Sequence, residues 1–586
     1  MAVRSSIFLP LLFMCSWYVS FAQELSQQRI SIILNNVSLE QALEKINAQE
    51  NVKLAYNPDQ IPKDKIVDQS FEQEPLSKVL EKLLGANFNL KFRGSYVIIQ
   101  PKKKDEKKKH PIKLSGSVKD AETGEVIKDA TVYEVSKLDA TLTNNSGEFD
   151  ITVQAKTDYL TFAVSRENYE DTIIQVSSIS EMSVSLKPIK KEKRRQSSRF
   201  EIETKKLVKF FTPDESRKNA RNVSMEEDRF FQLSLVPMVG TNGKLSGQVR
   251  NNISVNLLAG YAYGVKGVEL GGFYNIDRKE MKGVQLGGFG NAVGRESQGV
   301  QLAGFLNTTK GYTNGVQAAG FLNVVTDDVK GVQAAGFVNL SKKVGGVQTA
   351  GFVNLATKEL NGFQGAGFVN MAKSTKGVQV AGFVNLTKEA DGAQIASFLN
   401  MTKELKGIQF GVVNIADTVV HGVPVGLLNF VKNGLHQFAF EHNEFMPYHV
   451  TFRSGIHEFY TVLSAGIDPS KENLWQYGLG FGTQFNIKKK WYGNVELVAH
   501  SIQNPEREQA DDQLNLLNRL NLNVGYQIGK HLSINAGPTL NLYLTKVYDP
   551  ITGRYGDLHQ SGFYQSTTDD GLHLSAWVGY AVSVRF

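Results

Sequence analysis

The stretch Gly377-Val378-Gln379-Val380-Ala381-Gly382-Phe383-Val384-Asn385 decides how this chain folds, because close copies of it recur along much of the sequence. The pattern Gly-Val-Gln-x-Ala-Gly-Phe-x-Asn returns every 15 or 16 residues. It is led by Gly267, Gly283, Gly299, Gly315, Gly331, Gly346, Gly362, Gly377, Gly392, Gly407 and Gly422, which makes eleven units over residues 265–431. In nine of them the closing Asn stands six positions after the Gln, or after Glu269 in the first unit. The last two shorten this to five, Gln409 to Asn414 and Pro424 to Asn429. In extended backbone Val378, Val380, Gly382, Val384 and Leu386 point one way, and Gln379, Ala381, Phe383 and Asn385 the other. Each unit is therefore read as a strand with one apolar face, followed by a polar turn such as Lys388-Glu389-Ala390-Asp391.

Two architectures fit this period. Stacked coils would set identical side chains in ladders, amide on amide and ring on ring. Gln317, Asn323, Gln333, Asn339, Gln348, Asn354, Gln379 and Asn385 would then be structural ladder residues. An antiparallel meander would instead make each unit a membrane-crossing strand with Val and Leu toward lipid. The near-identity of the units favours stacking, as does the lack of Tyr and Trp between Tyr312 and Tyr448. Barrel-like strands on both flanks favour the meander. The calcium-roll pattern Gly-Gly-x-Gly-x-Asp is absent, so calcium is not implied. The repeats resemble a surface-repeat family of spirochaete and Bacteroidota outer-membrane proteins, which implies location and no particular ligand.

Downstream, Leu572, Leu574, Ala576, Val578, Tyr580, Val582, Val584 and Phe586 alternate with His573, Ser575, Trp577, Gly579, Ala581, Ser583 and Arg585. One face suits lipid and the other a mostly polar interior. Leu520, Leu522, Val524, Tyr526 and Ile528 repeat the alternation. Further strands are predicted at Tyr477 to Ile487, Tyr492 to Ser501, Leu532 to Thr545, His449 to Gly455 and Phe459 to Ile467. Residues 432–586 are accordingly read as C-terminal barrel strands, and 230–264, on the same pattern, as the first barrel strands. A terminal Phe on such a strand resembles the signal read by the outer-membrane barrel-assembly machinery, which would give Phe586 that role.

Upstream, Arg4 is the only charge before Glu24, Ile7 to Phe13 is apolar, and Ser20-Phe21-Ala22 is a small-x-small site. Residues 1–22 are expected to be a signal peptide cut before Gln23. Cys15, the only cysteine, falls within it, and Met14 is not the small residue a lipoprotein signal needs. The mature chain is then expected to have no disulfide and no thiol chemistry.

Residues 23–101 read as a small α/β domain. Arg29 to Val37 is a strand, Ser38 an N-cap with Gln41 at the capping-box position, and Val52 to Tyr56 a second strand. Pro75 opens a second helix with Leu76, Val79, Leu80, Leu83 and Leu84 on its apolar face, and Asn89 to Phe92 with Tyr96 to Ile99 form a hairpin. The residues Val37-Ser38-Leu39-Glu40-Gln41-Ala42-Leu43, Leu54-Ala55-Tyr56 and Tyr96-Val97-Ile98-Ile99 resemble the secretin and TonB short N-terminal (STN) domain. That resemblance covers about 70 residues and implies a periplasmic domain that contacts other proteins, in some receptors an inner-membrane anti-sigma factor.

Residues 102–111, with Lys102, Lys103, Lys104, Lys107, Lys108 and Lys109, read as a solvated basic linker. Residues 112–188 carry short alternating strands with turns at Thr123-Gly124 and Asn145-Ser146-Gly147. The spacing Gly116-x-Val118-x-Asp120-x-x-Thr123-Gly124, then Ala130-x-Val132, then Ser146-Gly147-x-Phe149, resembles the carboxypeptidase regulatory-like domain. That implies a transthyretin-like β-sandwich without zinc ligands. Residues 189–229, beginning with Lys190, Lys191, Lys193, Arg194 and Arg195, read as a polar linker.

Composition agrees with this order of parts. At 41% hydrophobic and 21% charged, the chain is too apolar for disorder. No stretch after the leader approaches the roughly 20 apolar residues of a membrane helix. The balance of 65 − 58 = +7 is mild and implies no nucleic acid. A nucleophile elbow, phosphate loop, dinucleotide fingerprint and zinc spacing are all missing, so no enzyme, cofactor or metal is expected. Gly478-x-Gly480-x-x-Thr483 lies inside a strand pattern, and His436 and His442 are the closest histidines of interest.

The expected fold is mainly β: a small α/β domain, a transthyretin-like β-sandwich, then an outer-membrane β-barrel region containing a stacked or meandering β repeat. The expected function is that of a non-enzymatic outer-membrane surface protein with periplasmic interaction modules, in envelope signalling or in ligand or surface binding. Its expected partners are outer-membrane lipid, the barrel-assembly machinery, and a periplasmic or inner-membrane protein at the N-terminal domain. The alternative is a transport component, a pore or TonB-linked uptake protein, for which residues 189–229 are too short and too charged to supply a plug.

Overall fold

The computed structural model describes residues 24–49, 52–93, 96–102, 110–157, 159–177, 180–189, 202–470, 474–505, 513–549, 553–558 and 562–586. The leader with Cys15, Lys103 to Lys109 of the first basic linker and the run from Lys190 to Arg195 lie outside these residues. The protein is mainly β, 67% strand against 9% helix, with a β-solenoid-like stacked region around 250–431. It divides into two compact units, residues up to Ala318 and residues from Ala319.

After one helical turn at Glu24–Gln27, the first unit holds β1 (Arg29–Ser38), α1 (Leu39–Asn47), β2 (Lys53–Ala55), β3 (Ile66–Pro75), α2 (Leu76–Leu84), β4 (Phe88–Arg93) and β5 (Tyr96–Pro101). The start of α1 is fixed by reciprocal bonds: the Gln41 N–H donates to Ser38 Oγ and the Ser38 N–H to Gln41 Oε1, both at 3.2 Å. Leu39, Ala42, Leu43 and Ile46 on α1 pack with Leu76, Val79, Leu80 and Leu83 on α2 in one buried cluster. Antiparallel β1–β3 and the three-stranded β2-β5-β4 contribute the rest of that core. Strand β3 is not predicted, because in IVDQSFEQEP only Val67 and Phe71 are buried.

Next come β6 (His110–Asp120), β7 (Thr131–Glu134), β8 (Ala140–Leu142), β9 (Glu148–Ala155), β10 (Leu160–Ser165), β11 (Thr172–Val176) and β12 (Ser180–Leu186). They form a four-stranded sheet, β11-β10-β7-β8, and a three-stranded one, β12-β6-β9, in which β12 runs parallel to β6. Leu114, Val118, Val132, Phe149, Phe162 and Val164 share the core.

The described part of 189–229 is structured, contrary to the linker reading. A 3₁₀ turn (Ile202–Thr204) and helices α3 (Lys206–Phe211) and α4 (Asp214–Asn222) bury Ile202, Val208 and Ala220 against Tyr261, Tyr274 and Ile276. These apolar residues are too sparse among charges to show a helical period, and their partners lie far along the chain. The reading of 230–264 as barrel strands is also corrected. Glu227–Val236, Val249–Asn256 and Ala259–Gly271 pair in parallel, Phe231 on Ile253 and Ile253 on Val268, so they begin the stack. Alternation alone misled, since Leu233 and Leu235 are exposed while Gln232 and Ser234 are buried, as on any one-sided strand.

In the second unit the coil led by Gly377 pairs residue for residue with those led by Gly362 and Gly392, all in parallel. This excludes the meander, whose neighbours would be antiparallel. The chain bends at Gly382-Phe383, so Phe383 turns outward at the corner, 40% exposed, instead of joining Gln379 inside as extended backbone would require. Gly377 sits at φ +132°, and a Cβ there would lie 2.1 Å from the carbonyl oxygen of Gly362. Only glycine meets both demands.

The rest of the second unit is a closed antiparallel barrel. Its eight strands are Leu435–Asn443, Tyr448–Ile456, Phe459–Asp468, Leu474–Lys488, Trp491–Gln503, Asn515–Gln527, Ser533–Thr545 and His573–Arg585. The last pairs with the first, Ala439 opposite Arg585 and Asn443 opposite Ala581.

Candidate functional site

The candidate features are two surfaces and their polar interiors. The barrel is apolar outside and charged inside. On the last strand Val578, Tyr580, Val582, Val584 and Phe586 are exposed, while Ser575, Trp577, Ser583 and Arg585 are buried. Eight strands leave an interior just wide enough for side chains. Here Glu496 accepts from Arg453 Nε at 2.7 Å, from Arg453 Nη2 at 2.9 Å and from the Tyr460 hydroxyl at 2.9 Å, with Arg585 3.5 Å away. Arg519 reaches Glu441 at 3.1 Å, and His449 lies beside the same carboxylate. The lumen holds two ion-paired clusters, one about Glu496 and one about Glu441.

The two ends of the barrel differ. Turns 457–458, 489–490 and 528–532 are short and lie at the end holding Leu435 and Phe586; of the four connections at the other end, 444–447 and 469–473 are short and 504–514 and 546–572 long. Aromatic side chains mark both ends outside: Trp491 on Tyr526 at 4.9 Å near the turns, Trp475 by Tyr477 at 5.8 Å near the loops. Phe586 closes the cylinder, its N–H donating to the Phe438 carbonyl at 2.8 Å.

The solenoid interior is a double amide ladder. Gln348 donates to Gln333 at 2.8 Å, Gln364 to Gln348 at 2.7 Å and Gln379 to Gln364 at 2.8 Å. Asn323, Asn339, Asn354, Asn370 and Asn385 each donate to the next coil's Asn at 2.9–3.0 Å. Gln317 does the same toward Gln301 at 2.7 Å in the first unit. All these amides are fully buried. The sequence-predicted residues are thus inside, bonded to one another, and offer nothing to a ligand. Outside, Phe337, Phe352, Phe368, Phe383 and Phe398 stack with centroids 4.8–5.0 Å apart.

Glu269 heads the Gln ladder. It accepts from Gln285 at 2.7 Å and Asn256 at 2.8 Å, and Gln285 also donates to Asp277 at 2.9 Å. Burial pushes both carboxyl pKa values up, Asp277 further through the charge of Glu269. In the same unit Asp171 ties three segments together, accepting from Tyr96 at 3.0 Å and Ser224 at 2.9 Å and pairing with Lys53 at 3.5 Å. Sequence reasoning missed this node, which joins residues 75 and 53 positions apart. It borders a cavity of about 480 Å³ that Arg166, Glu170, Arg221 and Lys279 also line.

The structure does not bring His436 and His442 together: His436 bonds the Val431 carbonyl and His442 the Pro447 carbonyl. Gly480 is a packing position, since a Cβ there would lie 2.2 Å from the Leu497 carbonyl oxygen. Among the described residues no group of three or more His, Cys, Asp or Glu is placed to hold a metal ion. Comparisons with family models, with curated proteins and with solved structures find no match to this chain.

Proposed function

We propose that this chain is a non-enzymatic outer-membrane protein, anchored by its C-terminal barrel, whose N-terminal modules meet a protein partner in the periplasm. The observation that carries the reading is the closed eight-stranded barrel with an apolar exterior and short turns at the end holding both strand termini. Outer-membrane barrels have that asymmetry, with short turns periplasmic and long loops extracellular. The α/β domain, its two sheets enclosing two helices, supports the resemblance to the STN domain and with it a role in protein contact. The ion-paired lumen favours an anchor over a pore.

The test is envelope fractionation with protease treatment of intact cells, using tags after Gln27 and near Gln509. Heat-modifiable migration in the outer-membrane fraction, a protected N-terminal tag and a cleaved loop tag are expected. Deletion of 23–188 is expected to abolish partner capture while the barrel still assembles. A soluble periplasmic product sinks the reading.

A further inference from the structure

The outward face of the solenoid in the second unit is unusually apolar for a surface bathed in water. Beside the Phe stack, the third residue after each leading glycine also faces out. Along successive coils it runs Ala334, Thr349, Gly365, Val380, Ile395, Phe410 and Val425, bulkiest in the coils led by Gly392 and Gly407. Those two are well exposed, Ile395 at 40% and Phe410 at 58%. Ile408, Val412, Val420, Leu427 and Phe430 are exposed on the same barrel-proximal coils. Exposed apolar side chains gathered on neighbouring coils mark an interaction site.

Its position identifies the occupant. The Phe430 ring stacks on His436 with centroids 6.0 Å apart. His436 is exposed on the first barrel strand and shares its outer side with Phe438 and Phe440, 58% and 64% exposed. The apolar side of the last coil therefore runs on into the lipid-facing side of the barrel. Lys403 and Lys406 on the same coils are exposed, supplying polar positions beside the apolar ones.

We propose that the barrel-proximal coils, led by Gly392, Gly407 and Gly422, are a lipid-contact surface, seated in the interface of the membrane that holds the barrel. The proposal rests on the outer-membrane reading of the barrel. Apolar side chains enter the boundary of headgroups and acyl chains, and lysine stems reach back to water, as on an interfacial amphipathic helix.

Cys15 is the only native cysteine, so in a Cys15→Ser chain each introduced cysteine carries the sole thiol label. The full chain is refolded into phosphatidylethanolamine–phosphatidylglycerol vesicles with or without a phospholipid bearing a nitroxide on its acyl chain. An environment-sensitive fluorophore is placed at Phe410→Cys, Ile395→Cys, Lys403→Cys or, on the barrel exterior, Leu497→Cys. Heat-modifiable migration checks that each variant folds. Quenching at 410 and 395 comparable with that at 497, and little at 403, is expected. Quenching at 497 with 410 and 395 as bright as 403 overturns the inference and leaves the barrel standing. No quenching at 497 removes the barrel reading and this inference with it. Emission at 410 that tracks protein concentration at fixed lipid assigns the face to a second copy, which also overturns it.

Discussion

Arg453 holds Glu496 through two N–H···O bonds, Nε to Oε1 at 2.7 Å and Nη2 to Oε2 at 2.9 Å, and neither side chain reaches solvent. Removing one member of such a pair strands the other charge. Glu496→Ala is expected to destabilise the refolded barrel by about 3–5 kcal/mol, read by urea titration of tryptophan fluorescence in detergent. Glu458→Ala, in an exposed turn, is expected to change it by less than about 0.5 kcal/mol.

The leading glycines give a second test. Gly377→Ala combines a left-handed φ with a Cβ 2.1 Å from the Gly362 carbonyl oxygen. It is expected to cost about 2 kcal/mol or more and to open the solenoid to limited proteolysis. Gly345→Ala, where the nearest atom would be 3.8 Å away, is the neutral control.

The ladder predicts a penalty for an apolar replacement of similar size. Asn354 donates to the Gly365 carbonyl at 2.8 Å and to Asn370 at 3.0 Å, and accepts from Asn339 at 2.9 Å. Asn354→Leu leaves those partners buried and unmatched, at about 1–3 kcal/mol each. Thermal unfolding followed by circular dichroism is expected to show a lower midpoint despite the gain in apolar volume.

The pair at the head of the Gln ladder predicts a pH dependence. Burial raises the Glu269 and Asp277 pKa values in the folded chain, so the folded state holds protons that the unfolded state releases. Their contribution to stability is complete below the ordinary carboxyl range and is lost as pH rises through the folded values. Glu269→Gln is expected to flatten this slope, raising the unfolding midpoint by more at pH 8 than at pH 5. Equal shifts at both values would refute the assignment.

Much of this fold was legible in local pattern. Ser38 with Gln41 announced a capping box, and the last strand, ending in Phe586, announced a one-sided β surface. The repeat announced ladders but not the bend at Gly382-Phe383, because strand periodicity assumes continuous extension and Phe383 breaks it at a corner. The parallel pairing of Phe231 with Ile253 was invisible for another reason: alternation fixes which side of a strand is wet, never the direction of its neighbour. The Asp171 node and the burial of Val208 depend on partners brought near only by the tertiary fold.

The Asn ladder ends in Asn429, whose backbone N–H donates to Ser454 Oγ at 3.1 Å and whose side-chain amide donates to Thr461 Oγ1 at 2.9 Å. A stack of parallel, near-identical strands with amide ladders has the internal logic of a growing fibre, in which each exposed end templates the next layer. Here the barrel occupies that end. The barrel therefore doubles as a terminator of growth. A truncation that keeps the repeats but drops 432–586 is expected to lengthen by end-to-end addition into filaments instead of remaining monomeric.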